Sequence, residues 1–257
     1  MSGEPAGPAA ATPRGAGPDK APGRISGMFD AIAPRYDLLN HVLSGGLDVY
    51  WRKRAVAALA LTGRETVLDL CTGTCDLAIA TLAAGRRGAR RVLGLDFAAQ
   101  MLRQGQRKLD ARALRASAPL VRADAMHLPV ATASMDAVTM AFGIRNVLDP
   151  GAACREIARV LKPGGRLAVL EFSLPSYAPV RAAYLWYFRN VLPRIGRLVS
   201  RHRDAYTYLP ESVGTFLSPG EFGALVGAAG LVDVRADRLT LGVVYLYCAR
   251  KPGAAPL

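Results

Sequence analysis

Two polar runs in this 257-residue chain carry residue types able to do chemistry, each at the end of an apolar stretch. Arg145 and Asn146 follow the apolar run Met135 to Phe142, setting a permanently charged planar donor beside a side chain that both donates and accepts. Earlier, Thr66-Val67-Leu68-Asp69-Leu70 meets Cys71-Thr72-Gly73-Thr74-Cys75-Asp76, where β-prone residues stop in small and hydroxyl residues before a helical pattern begins. Asp69 closes this strand, Gly73 lacks the side chain that would block backbone approach, and Thr74 offers a hydroxyl at a helix start. The next apolar run ends in Asp96, about 20 residues beyond the glycine turn, where an acid accepts hydrogen bonds from both hydroxyls of a ribose. Asp124 and Ala125 follow a third run, where the base of such a nucleoside would lie. His127 beside them reads as an incidental loop histidine.

These residues meet only if the apolar runs are strands whose ends share one edge. Helical patterns fall between them, at Asp76 onward, Ala98 to Asp110 and Pro150 to Leu161. Lys162-Pro163-Gly164-Gly165 then reads as a turn before a strand from Arg166 to Phe172. Ser218-Pro219-Gly220-Glu221 starts another helix that stops at Gly230, and two strands, about 232–237 and 241–249, follow. This alternation predicts an α/β fold with a doubly wound, mostly parallel seven-stranded sheet and an antiparallel last strand. Ahead of the first strand, a helix from Gly27 ends at Ser44-Gly45-Gly46, and a second runs from Asp48 to Leu61. The two form a helical lid, about 28–61, over the ligand edge, in which periodicity alone reads Tyr36 and Trp51 as packing aromatics. Cys71 and Cys75 stand where a dinucleotide fold carries further glycines, which favours a ligand without phosphates.

Half of the residues are hydrophobic, enough for one sizeable domain, expected over 25–252. Residues 1–24, rich in Ala, Gly and Pro, read as a disordered extension without a signal-type apolar middle and without chemistry. No run reaches the length of a spanning helix. Four scattered cysteines point to a reducing, cytoplasmic setting, and Cys71 with Cys75 lack the two further ligands zinc would need, so no metal is expected. The net charge of +13 suits an anionic partner, or merely reflects an arginine-rich composition. Residues 180–203, within an inserted helical segment of about 178–215, interleave aromatics with arginines. Such a segment suits peripheral contact with an anionic membrane surface. Its apolar residues would equally close a ligand pocket or form the contact of a homodimer.

With these motifs in hand, Asp69 to Asp76, Asp96, Asp124-Ala125 and Leu161-Lys162-Pro163-Gly164-Gly165 resemble the Rossmann-like class I S-adenosylmethionine-dependent methyltransferases. Phe29-Asp30-x-Ile32-Ala33-x-x-Tyr36-Asp37-x-x-Asn40, Phe142-Gly143-Ile144-Arg145-Asn146, Leu170-Glu171-Phe172-Ser173 and Leu192-Pro193-Arg194-Ile195-Gly196 are similar to the ubiquinone and menaquinone biosynthesis C-methyltransferases. The resemblance runs from about Met28 to the C-terminal strand. It implies S-adenosylmethionine as cofactor, held by Asp69, Gly73, Thr74, Asp96, Asp124 and Ala125, and a polyprenyl quinol as substrate, met by Tyr36, Arg145 and Asn146. Some family members carry Ser at the position of Ala141, and the hydroxyl contact is missing here. The cysteine turn is more like the menaquinone branch, so demethylmenaquinol is the expected substrate, with a ubiquinone-pathway methoxybenzoquinol as the alternative.

The implied chemistry suits these residue types. A sulfonium methyl is already electrophilic, so the protein has to align a ring carbon with it and exclude water. Arg145 would stabilise the quinol oxyanion that makes the carbon nucleophilic, Asn146 and Tyr36 would orient the ring oxygens, and a bound water would take the proton. An RNA methyltransferase would explain the charge but lacks an RNA-binding pattern, so no nucleic acid is expected. A non-catalytic scaffold would keep the fold without binding the cofactor.

Overall fold

The central apolar runs become strands buried on both faces. The structure, a computed structural model that describes residues 18–191, 194 and 204–253, contains β1 (Thr66–Leu70), β2 (Arg91–Asp96), β3 (Leu120–Arg122), β4 (Met135–Ala141) and β5 (Leu161–Phe172). β6 (Val232–Leu239) and β7 (Val244–Arg250) complete one seven-stranded sheet in the order β3-β2-β1-β4-β5-β7-β6. β1 to β5 pair in parallel, and β7 runs antiparallel to both β5 and β6. The chain works outward from β1 to β3 and returns to β4, so the order reverses between β1 and β4. That reversal opens a crevice at the carboxyl ends of the strands.

Alternate strand residues feed two separate cores. Leu68, Leu70, Val138, Met140 and Val169 pack with α6 (Pro150–Val160) and α9 (Pro219–Ala228). Val67, Val92, Ala137 and Ala168 face α3 (Leu47–Ala58) and α4 (Asp76–Leu82). Local signals set the helix starts. The Asp149 carboxylate accepts from the Ala152 amide at 3.0 Å ahead of Pro150, and Ser218 with Glu221 forms a reciprocal capping box.

Several boundaries differ from the sequence reading. α1 (Pro22–Ile32) begins inside the stretch expected to lie outside the fold, because Pro22 opens it and Ile25 is buried. A short 3-10 turn, Ala33–Arg35, then separates it from α2 (Tyr36–Ser44), where Pro34 interrupts what periodicity reads as one helix. α3 ends at Ala58 rather than Leu61, with Ala60 at a φ of 46°. Residues 162–165 loop out within β5, since Leu161 pairs with Met135 and the ladder resumes at Arg166 with Ala137. After β5 come α7 (Ala178–Asn190) and α8 (Asp204–Thr215), while 192–193 and 195–203 of the arginine-aromatic segment lie outside the described residues. No helix among the described residues is long and apolar enough to cross a membrane.

The turn after β1 keeps a three-glycine geometry with one glycine. Cys71, Gly73 and Cys75 have φ values of 54°, 54° and 69°, all in the left-handed region that disfavours side chains. Glycines on neighbouring elements accommodate the two thiol side chains instead. Gly143 sits against the Cys71 side chain and Gly105 of α5 (Ala99–Asp110) against the Cys75 sulfur, each too close for a Cβ. Gly143→Ala should therefore lose about 1–3 kcal/mol of unfolding free energy. Adding Cys71→Gly should recover most of that loss in a double-mutant cycle measured by denaturant unfolding. Simple additivity of the two changes would show that the packing does not couple them.

Candidate active site

Asp69 is almost fully buried, and its carboxylate is consumed within the fold. It accepts from the Thr72 hydroxyl at 2.5 Å and from the Thr139 hydroxyl at 2.8 Å, tying the end of β1 to β4. Burial pushes its pKa up to about 6, with the two hydroxyl bonds opposing the shift. Asp96 is used differently. Its two oxygens accept from the Gly73 and Ala98 amides, each at 2.8 Å, which fixes the carboxylate at the mouth of the crevice. Burial raises its pKa, and among the described residues no ion pair neutralises it. A partly buried acceptor of this kind suits neutral donors such as paired hydroxyls.

Asp96, Gly73, Asp124 and Ala125 line a first cavity of about 830 Å³. A side chain at Gly73 would point into open space, so the backbone of the turn lies bare toward the cavity. Lys20, from the stretch expected to carry no chemistry, also lines it, as does Asn146. Thr74 does not. Its hydroxyl donates to Asp37 of α2 at 2.5 Å, and Lys108 of α5 bridges Asp37 and Asp76. Arg52 of α3 joins the same network, bonding Asp48 at 2.6 Å and Asp76 at 3.2 Å. Thr74 thus fastens the lid helices to the turn.

The N-terminal and later helices border a second, partly open cavity, about 1390 Å³ with its mouth included and mostly apolar. Its wall includes Trp51, Phe142 and Phe172, with Phe142 and Phe172 stacked at 4.4 Å and Trp51 edge-on to both. Tyr184, Tyr187 and Phe188 of α7 close another side, so the apolar face of α7 closes a pocket. Tyr187 also donates to the Leu43 carbonyl of α2 at 3.1 Å. Phe29, Tyr36 and Phe142 line both cavities and form the partition between them.

Arg145 lines the second cavity next to Phe142 of the partition. One guanidinium nitrogen donates to Glu171 at 2.7 Å and to the Phe142 carbonyl at 2.6 Å, while Nε is buried without a partner. Glu171 is fully buried at the end of β5 and also accepts from the Arg145 and Phe172 amides. Burial alone would lower the arginine's pKa, but the charge and hydrogen bond of Glu171 together with Tyr36 and Tyr208 outweigh it, and the guanidinium is held charged above its ordinary value. Asn146 is oriented from both ends, accepting from the Tyr208 hydroxyl at 2.9 Å and donating to the Phe142 carbonyl at 3.3 Å. The structure thus brings Gly73, Asp96, Asp124, Ala125 and Asn146 to the first cavity, Arg145 to the second, and Tyr36 to both.

Asp69 and Thr74 instead hold the scaffold, and Glu171 and Tyr208 enter as partners that residue-type reasoning passed over. The signal for Glu171 was present, since an acid inside the apolar run Leu167 to Phe172 needs a buried partner. Tyr208 carried no local signal.

A family model described as the ubiE/COQ5 methyltransferase family matches residues 19–251. The chain belongs to that family. Among ubiE/COQ5-type relatives, it is 47% identical to "Ubiquinone/menaquinone biosynthesis C-methyltransferase UbiE" of Syntrophotalea carbinolica, over 88% of this chain and 94% of that protein. Identity to the "Demethylmenaquinone methyltransferase" of Thermus thermophilus is 45%, over 88% of this chain and 100% of that protein. A solved SAM-dependent methyltransferase from Thermotoga maritima superposes with a TM-score of 0.62 at 18% identity, over 88% of this chain and 99% of that one, and shares the fold. The seven-stranded sheet of this ubiE/COQ5 methyltransferase is therefore of the Rossmann-like class I type.

Proposed function

We propose that this chain methylates a ring carbon of demethylmenaquinol with S-adenosylmethionine, giving menaquinol. The observation that carries the reading is the pair of cavities meeting at Phe29, Tyr36 and Phe142, with the charged Arg145 lining the second and bonded to the Phe142 carbonyl. The first cavity fits the cofactor: a bare glycine turn, a half-buried carboxylate without an ion pair among the described residues for ribose hydroxyls, and Asp124 with Ala125 for the base. When bound there, S-adenosylmethionine supplies a methyl group activated by its sulfonium. The second cavity is large and apolar enough for a naphthoquinol and the start of its prenyl tail.

The remaining demands fall on the side chains. Arg145 stays charged, so it stabilises a deprotonated ring oxygen rather than accepting a proton. Asp48, the carboxylate lining the second cavity, has both oxygens engaged by Ser44, His41 and Arg52, and so is not free to act as base. The proton is therefore assigned to a water. Trp51, Phe142 and Phe172 present flat apolar surface to the ring, which keeps the reacting carbon dry. Tyr36 spans both cavities and is placed to orient the ring.

The same reading extends to the surface. A long-tailed quinol has to be met at a membrane, and α7 presents Trp186 at 61% exposure beside exposed Arg181 and Arg189. We infer peripheral contact of 180–203 with anionic lipid, with the protein on the cytoplasmic side.

Incubation with labelled cofactor and, separately, reduced demethylmenaquinone, the reduced methoxybenzoquinone and bulk RNA should label demethylmenaquinone most. Labelling of the benzoquinol alone would move the substrate to the ubiquinone pathway, and labelling of RNA alone would overturn the quinol reading. In vesicle flotation, neutralising Arg181, Arg189 and Arg194 together should weaken binding to anionic vesicles several-fold. Undiminished flotation would remove the membrane role.

A further inference from the structure

Among the described residues, two buried side-chain polar atoms have no hydrogen-bond partner: Nε of Arg145 and the hydroxyl of Tyr184. Both residues line the second cavity, one from the turn after β4 and the other from α7. Leaving a buried donor unpaired costs about 1–3 kcal/mol, and two such donors on one apolar cavity call for a common explanation. Among the described residues four tyrosines surround this cavity, and three have their hydroxyls engaged within the protein. Tyr36 bonds Asn40, Tyr187 bonds the Leu43 carbonyl and Tyr208 bonds Asn146. Tyr184 alone keeps its hydroxyl spare, and its ring is fixed edge-on to Phe188 at 4.4 Å in a cluster with Leu39 and Leu43.

We propose that Tyr184 is a substrate-binding residue, whose hydroxyl donates a hydrogen bond to a ring oxygen of the quinol beside Arg145. Burial raises its pKa, so the phenol stays protonated and donates rather than acting as a base. A charged guanidinium and a neutral hydroxyl on residues that line one apolar space suit an oxygen that becomes anionic during the reaction, because donors bind oxyanions more strongly than neutral oxygens. The inference rests on the quinol reading above and adds to it the residue that recognises the head group from the helical insertion.

Tyr184→Phe in the full chain provides the test, since the hydroxyl it removes bonds nothing among the described residues. With reduced demethylmenaquinone as substrate, kcat/KM should fall about 10- to 100-fold. Affinity for S-adenosylhomocysteine, read by calorimetry, should stay within twofold, and the Tm should hold or rise. Tyr187→Phe, which loses a bond to the α2 backbone, serves as the control and should lower the Tm with a smaller effect on kcat/KM. Wild-type turnover matched by Tyr184→Phe would refute the role of Tyr184 and leave the quinol reading standing. Absence of quinol turnover by the wild type would overturn both.

Discussion

The buried pair Arg145–Glu171 is the interaction on which the candidate site depends. Taking both charges out of water costs several kcal/mol per ion unless their remaining hydrogen-bonding capacity is met. Here the Glu171 carboxylate answers the guanidinium, the Arg145 amide and the Phe172 amide, so one side chain fixes both the turn after β4 and the end of β5. Phe142 is held at a φ of 58°, a conformation a bulky residue adopts only when its surroundings impose it, and its carbonyl accepts from both Arg145 and Asn146. The result is a cation fixed on the wall of the second cavity with its buried Nε unpaired among the described residues. Removing either partner would strand the other charge, at a cost of about 3–5 kcal/mol.

A second network governs access. Asp37 and Arg52 of the lid meet Thr74, Asp76 and Lys108 on the sheet side, so the helices that roof both cavities are fastened to the turn that faces the first. These helices are held by polar contacts at one end and by aromatic packing around Trp51 and Tyr187 at the other, and Trp51, Ala55 and Val56 of α3 belong to the second main core. This division of labour explains why Thr74 and Asp69, both polar residues in a ligand turn, serve structure. The turn presents its backbone at Gly73, and Asp96 its carboxylate, to the first cavity.

The sheet was legible because buried parallel strands read as apolar runs, and their order follows from alternation with helices. Asp96, Asp124 and Ala125 were legible for the same reason, since a strand end fixes which edge a residue occupies. Side-chain partners were not. Thr74 with Asp37, Arg145 with Glu171, and Tyr208 with Asn146 join positions far apart in sequence, and no local pattern marks such pairs. The left-handed backbone at Cys71 and Cys75 was hidden as well, because the glycines that permit it, Gly143 and Gly105, lie on other elements. Pro22 illustrates the reverse case. A proline in an Ala/Gly/Pro-rich run reads as disorder until the buried Ile25 shows it to be the first turn of a helix.

The central claim is that the shape and free donor of the Arg145 guanidinium, and not its charge alone, act on the substrate. Arg145→Lys keeps a cation beside Glu171 while removing the planar fork and Nε. Turnover at saturating reduced demethylmenaquinone, compared with wild type at equal folded fraction, measures the difference directly. The account predicts a fall of roughly 100-fold in kcat with binding of S-adenosylhomocysteine preserved. Near-normal turnover by the lysine variant would contradict it.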